Sequence, residues 1–277
     1  MKKISSTMVK DVIVQRKPET HKYNYGRVLL IGGNLNYGGA IIMSANAAVN
    51  SGAGLVTVAS DPINLTSLHV LIPEATFTDY NQFEDLIPLI EKSQVIAIGS
   101  GLGTTEISLN LLKLVFDKIS SKQILIIDGS AFSLLHEHYL KFPLAKIILT
   151  PHQGEWESFS GLSLEQQSFE KNQAFLLENQ LENSILVLKK HRTEIYYKNQ
   201  IWQNPTGNAS MATAGMGDTL AGMIAGFTAQ FSNFFKATCA AVYLHGRIGD
   251  KLSKDNYVTI PTKISQMIPK EMNLYSV

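Results

Sequence analysis

Val95-Ile96-Ala97-Ile98-Gly99-Ser100-Gly101-Leu102-Gly103 opens a stretch that closes on Ile124-Leu125-Ile126-Ile127-Asp128. Both ends are short apolar runs rich in β-branched residues. Strands that read this way are usually covered on both faces, as in a parallel sheet. Between them, Ile107–Ile119 places Ile107, Leu111, Leu114, Val115 and Ile119 on one face of a helix. Outward from this unit the alternation repeats. Val28–Ile31, Leu55–Ala59, Ile147–Leu149 and Ile185–Leu188 read as further strands, and Ala40–Asn50 and Glu165–Glu178 as helices. The pattern predicts an α/β fold with a mostly parallel central sheet and helices on both faces. After Leu188 the rhythm changes. Glu194–Tyr197 and Ile201–Gln203 flank Lys198-Asn199-Gln200 as a hairpin. Two helical stripes follow: Leu220, Ile224, Phe227 and Phe231, then Ala237, Ala241, Leu244, Ile248 and Leu252. With no repeat, low-complexity tract or Pro/Ser-rich linker, residues 1–277 read as one domain.

The 277 residues are 45% hydrophobic and 17% charged, with a net charge of +1. That balance argues against a whole-surface electrostatic grip on nucleic acid or membrane. No apolar run approaches the roughly 20 residues of a membrane span. Met1–Thr7 carries two lysines with no apolar segment behind them, which does not read as a secretion signal. The single cysteine, Cys239, cannot form an intramolecular disulfide and lies in an apolar run, so it reads as a buried structural thiol. A cytoplasmic protein is expected.

The chemistry concentrates in Gly207-Asn208-Ala209-Ser210-Met211-Ala212-Thr213-Ala214-Gly215-Met216-Gly217-Asp218, which runs directly into the Leu220 stripe. Gly215 and Gly217 let backbone N–H groups approach an anion with no Cβ in the way. A helix N-terminus adds unpaired donors and the positive end of a dipole. Asp218 falls in the first turn. It can simply favour the helix start, or it can act as a general base on a hydroxyl while the loop holds a phosphate. The Gly-x-Gly-Asp pattern ahead of an apolar helix favours the second role. A Walker loop, Gly-x-x-x-x-Gly-Lys-Ser/Thr, occurs nowhere in the chain.

This segment resembles the signature of the ADP/ATP-dependent NAD(P)H-hydrate dehydratases of the ribokinase-like superfamily. His21-Lys22-Tyr23-Asn24-Tyr25-Gly26-Arg27, Gly32-Gly33 with Gly38-Gly39-Ala40, and Thr150-Pro151-His152-Gln153-Gly154-Glu155 look like further family stretches in the same order. The similarity runs from about residue 16 to residue 252. The resemblance implies a ribokinase-like fold and repair of hydrated NADH or NADPH at the expense of ADP or ATP, with Mg²⁺ on the phosphates. It implies Asp218 as catalytic base, with Gly215 and Gly217 forming an anion hole. It implies Ala40, Gly103, His152 and Asp218 at the hydrated cofactor. It places Lys189, Lys190, His191, Arg192, Thr193, Asn208 and Gly217 at the nucleotide. It also implies a homotetramer and a separate epimerase partner. The chain departs from the family pattern at Ser210, Ala214, Tyr23 and Lys190, where glycine is usual. A small-molecule kinase of the same superfamily, acting on a vitamin-precursor alcohol, needs the same loop and aspartate. A nucleotide-binding regulator without turnover is a third reading, and the intact Asp218 speaks against it.

Gly99-Ser100-Gly101-Leu102-Gly103 with Asp128 imitates a dinucleotide fingerprint, but its Gly-x-Gly-x-Gly spacing is wrong for one and a tight strand-to-helix turn accounts for it. The resemblance puts Gly103 at the substrate and Asp128 near the floor of the site. His152 ends a strand, where open α/β sheets bind ligands. Glu155 and Glu157 can serve a metal or begin a helix, and the sequence favours neither. His245 sits on a helical stripe and reads as structural, and His136 and His138 as surface residues. No Cys/His cluster has zinc spacing, and no Gly-x-Ser-x-Gly elbow occurs, so the metal ligands stay unassigned. Lys189-Lys190-His191-Arg192 is too short, and lacks the interleaved aromatics, for RNA.

Overall fold

In the computed structural model, which describes residues 1–276, the apolar runs form the middle of one ten-stranded sheet. The first half of the chain gives β1 (Lys2–Lys3), α1 (Ser6–Lys10), β2 (Arg27–Ile31), α2 (Gly38–Asn50), β3 (Leu55–Ser60), α3 (Leu65–Leu71), β4 (Thr76–Asp79), α4 (Phe83–Lys92), β5 (Val95–Ile98), α5 (Glu106–Lys118), β6 (Ile124–Ile127) and α6 (Ala131–His138). The second half gives β7 (Lys146–Leu149), α7 (Gln153–Ser160), α8 (Phe169–Glu178), β8 (Ile185–Leu188), β9 (Glu194–Tyr197), β10 (Gln200–Gln203), α9 (Met216–Gln230), α10 (Phe234–Leu252) and α11 (Pro261–Asn273). The sheet order is β1-β10-β9-β8-β7-β6-β5-β2-β3-β4. Strands β2 to β8 are parallel, and β9 and β10 add an antiparallel hairpin.

The period of two along each strand sorts side chains between two cores. Val28, Leu30, Val56, Val58, Ala97, Ile126 and Val187 face α1, α2, α9, α10 and α11. Leu29, Ile31, Ile96, Ile98, Leu125, Ile127 and Leu188 face α4 to α8. Both layers are dry: Leu29, Leu30, Leu125, Ile126, Leu186 and Val187 expose nothing. Each such side chain contributes about 1.5–3 kcal/mol through burial.

Three details differ from the sequence pattern, among them the break of Glu165–Glu178 at Gln167 and Ser168. Ile107 is exposed at 45%, because α5 turns Ser108, Leu111, Leu112 and Val115 to the sheet instead. The hairpin turn is shorter than the three residues the pattern gave it. Lys198 and Asn199 alone make it, both at positive φ (45° and 55°), and Gln200 already pairs in β10. Two left-handed residues match the strand twist better than a longer loop.

The strand order reverses between β2 and β5: β3 lies on the far side of β2, and β6 on the far side of β5. Open α/β sheets leave a crevice at such a point, outside the carboxyl ends of the strands. Helix α9 is seated beside that crevice by glycine. A Cβ at Gly222 would lie 2.0 Å from the Ser44 carbonyl oxygen, so only glycine lets α9 approach α2 this closely. No helix among the described residues is long and apolar enough to cross a membrane.

Candidate active site

The first turn of α9 faces the strand ends. Gly215 caps it in the left-handed region, at φ 88°, and a Cβ there would press to within 2.3 Å of the Met43 side chain. The first helical bond is Thr219 N–H to the Gly215 carbonyl, at 3.0 Å. The N–H groups of Met216, Gly217 and Asp218 come before it and are left for an anion. The two departures from glycine cost no strain, since neither Ser210 nor Ala214 has positive φ. Ser210 pairs its hydroxyl with that of Thr259 at 2.9 Å, and Ala214 is exposed.

Three carboxylates and one ammonium meet beneath this turn. Lys189, the residue after β8, lies 2.9 Å from Asp128 Oδ1 and 3.8 Å from Glu155 Oε2. Its Nζ also lies 3.0 Å from the place a Cβ would take on Gly217, which puts it against the anion hole. Burial opposes the charge on Lys189. Asp128 and Glu155 outweigh that burial and hold the ammonium above its usual range. Asp128 directly follows β6 and is 3% exposed. Thr150 donates to its Oδ1 at 2.8 Å, and Ser100 donates to its Oδ2 at 3.2 Å. Burial, then the Asp128 charge, push Asp218 up to about 6, with the Ser100 hydroxyl and the Lys189 ammonium opposing the shift. Glu155 is also raised, chiefly by burial.

His152 and Glu155 cap α7 reciprocally. The His152 N–H donates to Glu155 Oε2 at 2.7 Å, and the Glu155 N–H donates to His152 Nδ1 at 3.0 Å. So Glu155 starts a helix and also faces Lys189. On the other side of the crevice Gly103 is held by Ser130, whose Oγ accepts its N–H at 2.8 Å. Ala40, in the first turn of α2, places its Cβ against Gly101.

A cavity of ≈610 Å³ opens beside the α9 turn. Lys189, Lys190, His191, Thr193, Asn208 and Gly217 line it, as does His152. Arg192 is not on its wall. Its Nη1 donates to the Pro205 and Gly207 carbonyls at 2.7 and 3.3 Å and clamps the glycine-rich loop from behind. Lys190 points its ammonium 2.7 Å from Glu194. Asn208 donates to Asp250 Oδ1 at 2.7 Å, which braces the loop against α10. His245 also lines the cavity, and burial pushes it down to about 4, so its ring is neutral. His136 and His138 are exposed, and Cys239 is a buried free thiol raised by burial.

Among the described residues no group of three or more His, Cys, Asp or Glu could hold a metal ion on its own. The charge balance nevertheless suits a cation arriving on phosphates. Three carboxylates stand against the single ammonium of Lys189, and Mg²⁺ commonly uses one or two carboxylates plus substrate phosphates.

Comparison with known proteins identifies the family. The family model described as NAD(P)H-hydrate dehydratase matches residues 28–270. The chain belongs to the NAD(P)H-hydrate dehydratase family. Among its relatives, the ADP-dependent (S)-NAD(P)H-hydrate dehydratase of Lactiplantibacillus plantarum is 47% identical, over 100% of this chain and 98% of the relative. The enzyme of the same description from Enterococcus faecalis is 46% identical, over 100% and 94%. A crystal structure of a ribokinase-like superfamily protein from Enterococcus faecalis superimposes with a TM-score of 0.96, at 45% identity and 100% and 96% coverage. The ADP/ATP-dependent NAD(P)H-hydrate dehydratase of Bacillus subtilis, co-crystallised with ATP/Mg²⁺, gives 0.88, at 27% identity and 99% coverage of both chains. The fold is therefore ribokinase-like. The pyridoxal kinase of Staphylococcus aureus, at 16% identity, 80% and 87% coverage and a TM-score of 0.53, shares the fold alone.

Proposed function

We propose that this chain catalyses the ADP-dependent dehydration of the S form of hydrated NADH and NADPH, restoring the dihydronicotinamide. The observation that carries this reading is Asp218, a half-buried carboxylate pushed up to about 6, standing in the first turn of α9 with Lys189 against the same turn. A base of that pKa accepts a hydroxyl proton near neutral pH and gives it back readily.

Hydroxide leaves poorly from carbon, and a phosphate ester leaves far better. Asp218 takes the proton of the substrate hydroxyl as its oxygen attacks the terminal phosphoryl group of ADP, releasing AMP. The N–H groups of the α9 turn and the Lys189 ammonium stabilise the charge on the phosphoryl oxygens. The ring nitrogen then supplies the electron pair that expels phosphate, and Asp218 returns its proton to the leaving oxygen. The neighbouring ring carbon gives a proton to the released phosphate and the double bond is restored. Mg²⁺ carried on the nucleotide would neutralise phosphate charge, with Glu155 as the carboxylate that faces it. Ala40, Gly103 and His152 bind the hydrated cofactor. Thr193, His191, Lys190 and Asn208 form the nucleotide wall, and Arg192 holds the loop that closes it. We extend the proposal to one catalytic domain, a cytoplasmic homotetramer and a separate epimerase that supplies the S form.

The test incubates the protein with hydrated NADH, Mg²⁺ and either ADP or ATP, and follows recovery of the dihydronicotinamide absorbance. The expected result is recovery, with AMP released when ADP is used. Lack of recovery with both nucleotides, together with stable phosphate transfer to an alcohol, would select the kinase reading instead.

A further inference from the structure

The loop that forms one wall of the cavity lies directly on α10. A Cβ at Gly246 would come within 2.8 Å of the Gly207 nitrogen, so the helix meets the loop with bare backbone there. One turn further along α10 stands Asp250, half-buried and outside the cavity wall. Its two oxygens hold two consecutive loop residues. The Gly207 N–H donates to Oδ2 at 3.0 Å, and Asn208 Nδ2 donates to Oδ1 at 2.7 Å. Asn208 Nδ2 also donates to Ser253 Oγ at 3.1 Å, and Asn208 Oδ1 accepts the Ser210 N–H at 3.0 Å. Both amide hydrogens of Asn208 are therefore used inside the protein, and its side chain has no donor left for a ligand. From the other side, Arg192 Nη1 donates to the Gly207 carbonyl at 3.3 Å. Gly207 is thus gripped through its N–H by an anion and through its carbonyl by a cation.

The charges around Asp250 single out this grip. Arg247 and Lys251 flank it on α10, yet both turn to the fully buried Glu271 of α11, Arg247 Nε at 2.8 Å. Among the described residues no Lys, Arg or His nitrogen lies within 4.0 Å of the Asp250 carboxylate. Its charge faces neutral N–H donors of the loop instead, and hydrogen bonds to an ionised acceptor are the stronger kind. We propose that Asp250 is a positioning residue for the nucleotide: it fixes Gly207 and Asn208 and so sets the affinity for ADP without touching it. This rests on the reading of the cavity as the nucleotide's. The loop is tied elsewhere at its two ends, by Thr206 Oγ1 to the Tyr243 carbonyl at 2.8 Å and by Ser210 Oγ to Thr259 Oγ1 at 2.9 Å. Without Asp250 the stretch between them is left to Arg192 and Ser253, and the wall loses the preset geometry that favours binding.

Exchanging the two side chains tests this. In the Asn208→Asp/Asp250→Asn double variant the amide now on α10 donates to the carboxylate now on the loop, and its oxygen still accepts the Gly207 N–H. ADP binding with Mg²⁺ is measured by calorimetry, and kcat and KM for ADP and for hydrated NADH by steady-state assay. Asp250→Ala is expected to raise Kd and KM for ADP roughly 10- to 100-fold, the size of one hydrogen bond to a charged group. Its kcat at saturating ADP and its KM for hydrated NADH should move less than about threefold. Asn208→Asp alone sets two carboxylates against each other, and Asp250→Asn alone sets two amide donors together, so each should weaken ADP roughly tenfold. The double variant should return to within about threefold of wild type. Unchanged ADP affinity in Asp250→Ala would overturn the proposal, as would kcat and both KM values worsening together, the mark of a merely structural role. So would a double variant that binds ADP no better than its single variants, and this arm decides the matter if Asp250→Ala does not fold. Wild type that binds neither ADP nor ATP refutes the reading of the cavity itself, whereas wild-type binding that Asp250→Ala leaves intact refutes only the role of Asp250.

Discussion

Lys189 and Lys190 are neighbours in sequence, yet they serve two buried polar clusters of opposite character. Lys190 meets Glu194 at 2.7 Å, Tyr196 donates to Glu194 at 2.7 Å, Asn172 to Tyr196 at 3.0 Å, and Trp156 to Asn172 at 2.8 Å. One cation meets one carboxylate there, and the chain of hydrogen bonds has no unpaired end. Lys189 instead faces Asp128, Glu155 and, farther off, Asp218. That cluster holds more negative charge than its own cation balances. A closed buried network fixes a fold, whereas one left with surplus charge is poised for a ligand that completes it.

The contrast can be broken by mutation. Lys189→Met removes the cation against the anion hole, and turnover should fall roughly 10²–10³-fold, the usual loss for one such donor. A steady-state assay with ADP that finds less than a tenfold loss would move Lys189 out of the chemistry. The next largest effect concerns stability. Burial raises Asp218 in the folded state from 3.8 to about 6. Its contribution is therefore fully present below pH 3.8 and is lost as pH rises through about 6. Asp218→Asn removes that loss, so the ligand-free variant should gain up to about 3 kcal/mol over wild type at neutral pH, and the gain should vanish in acid. Denaturant melts at both pH values check the sign. Gly215→Ala forces a Cβ into the left-handed region against Met43 and should cost roughly 1–3 kcal/mol, read from the same melts. Tyr196→Phe opens the closed network and should cost about 1 kcal/mol while leaving the pH dependence of turnover unchanged.

The sheet was legible because β2, β3, β5, β6, β7 and β8 are apolar on both faces, and a strand buried twice has no polar positions to blur it. The edges were not. Thr76–Asp79 and Lys2–Lys3 are short and half-polar or polar, and they pair only because a neighbouring strand offers a free edge. Pro88 within α4 and Pro269 within α11 hide two helices from a reading that treats proline as a breaker. The segment Glu165–Glu178 was read as one helix, but it breaks at Gln167 and Ser168, where Ser168 caps α8.

The candidate site divides in the same way. Gly215, Gly217 and Asp218 fall within four consecutive residues, so their spacing carries the signal. Ser100, Asp128 and Lys189 come from the ends of three separate strands, and their shared site depends on strand order, which no local pattern encodes. The family resemblance implies Arg192 and Lys190 at the nucleotide. Their actual partners, the Pro205 and Gly207 carbonyls and Glu194, lie on a loop and a strand that periodicity could not place.

The most direct measurement is AMP formation from ADP in a rapid-quench experiment with hydrated NADH and the Asp218→Asn variant. With the base gone and the anion hole intact, ADP should still bind, and AMP release and dihydronicotinamide recovery should both fall roughly 10²–10⁴-fold. AMP formed at the wild-type rate would contradict the assignment of Asp218 as the base.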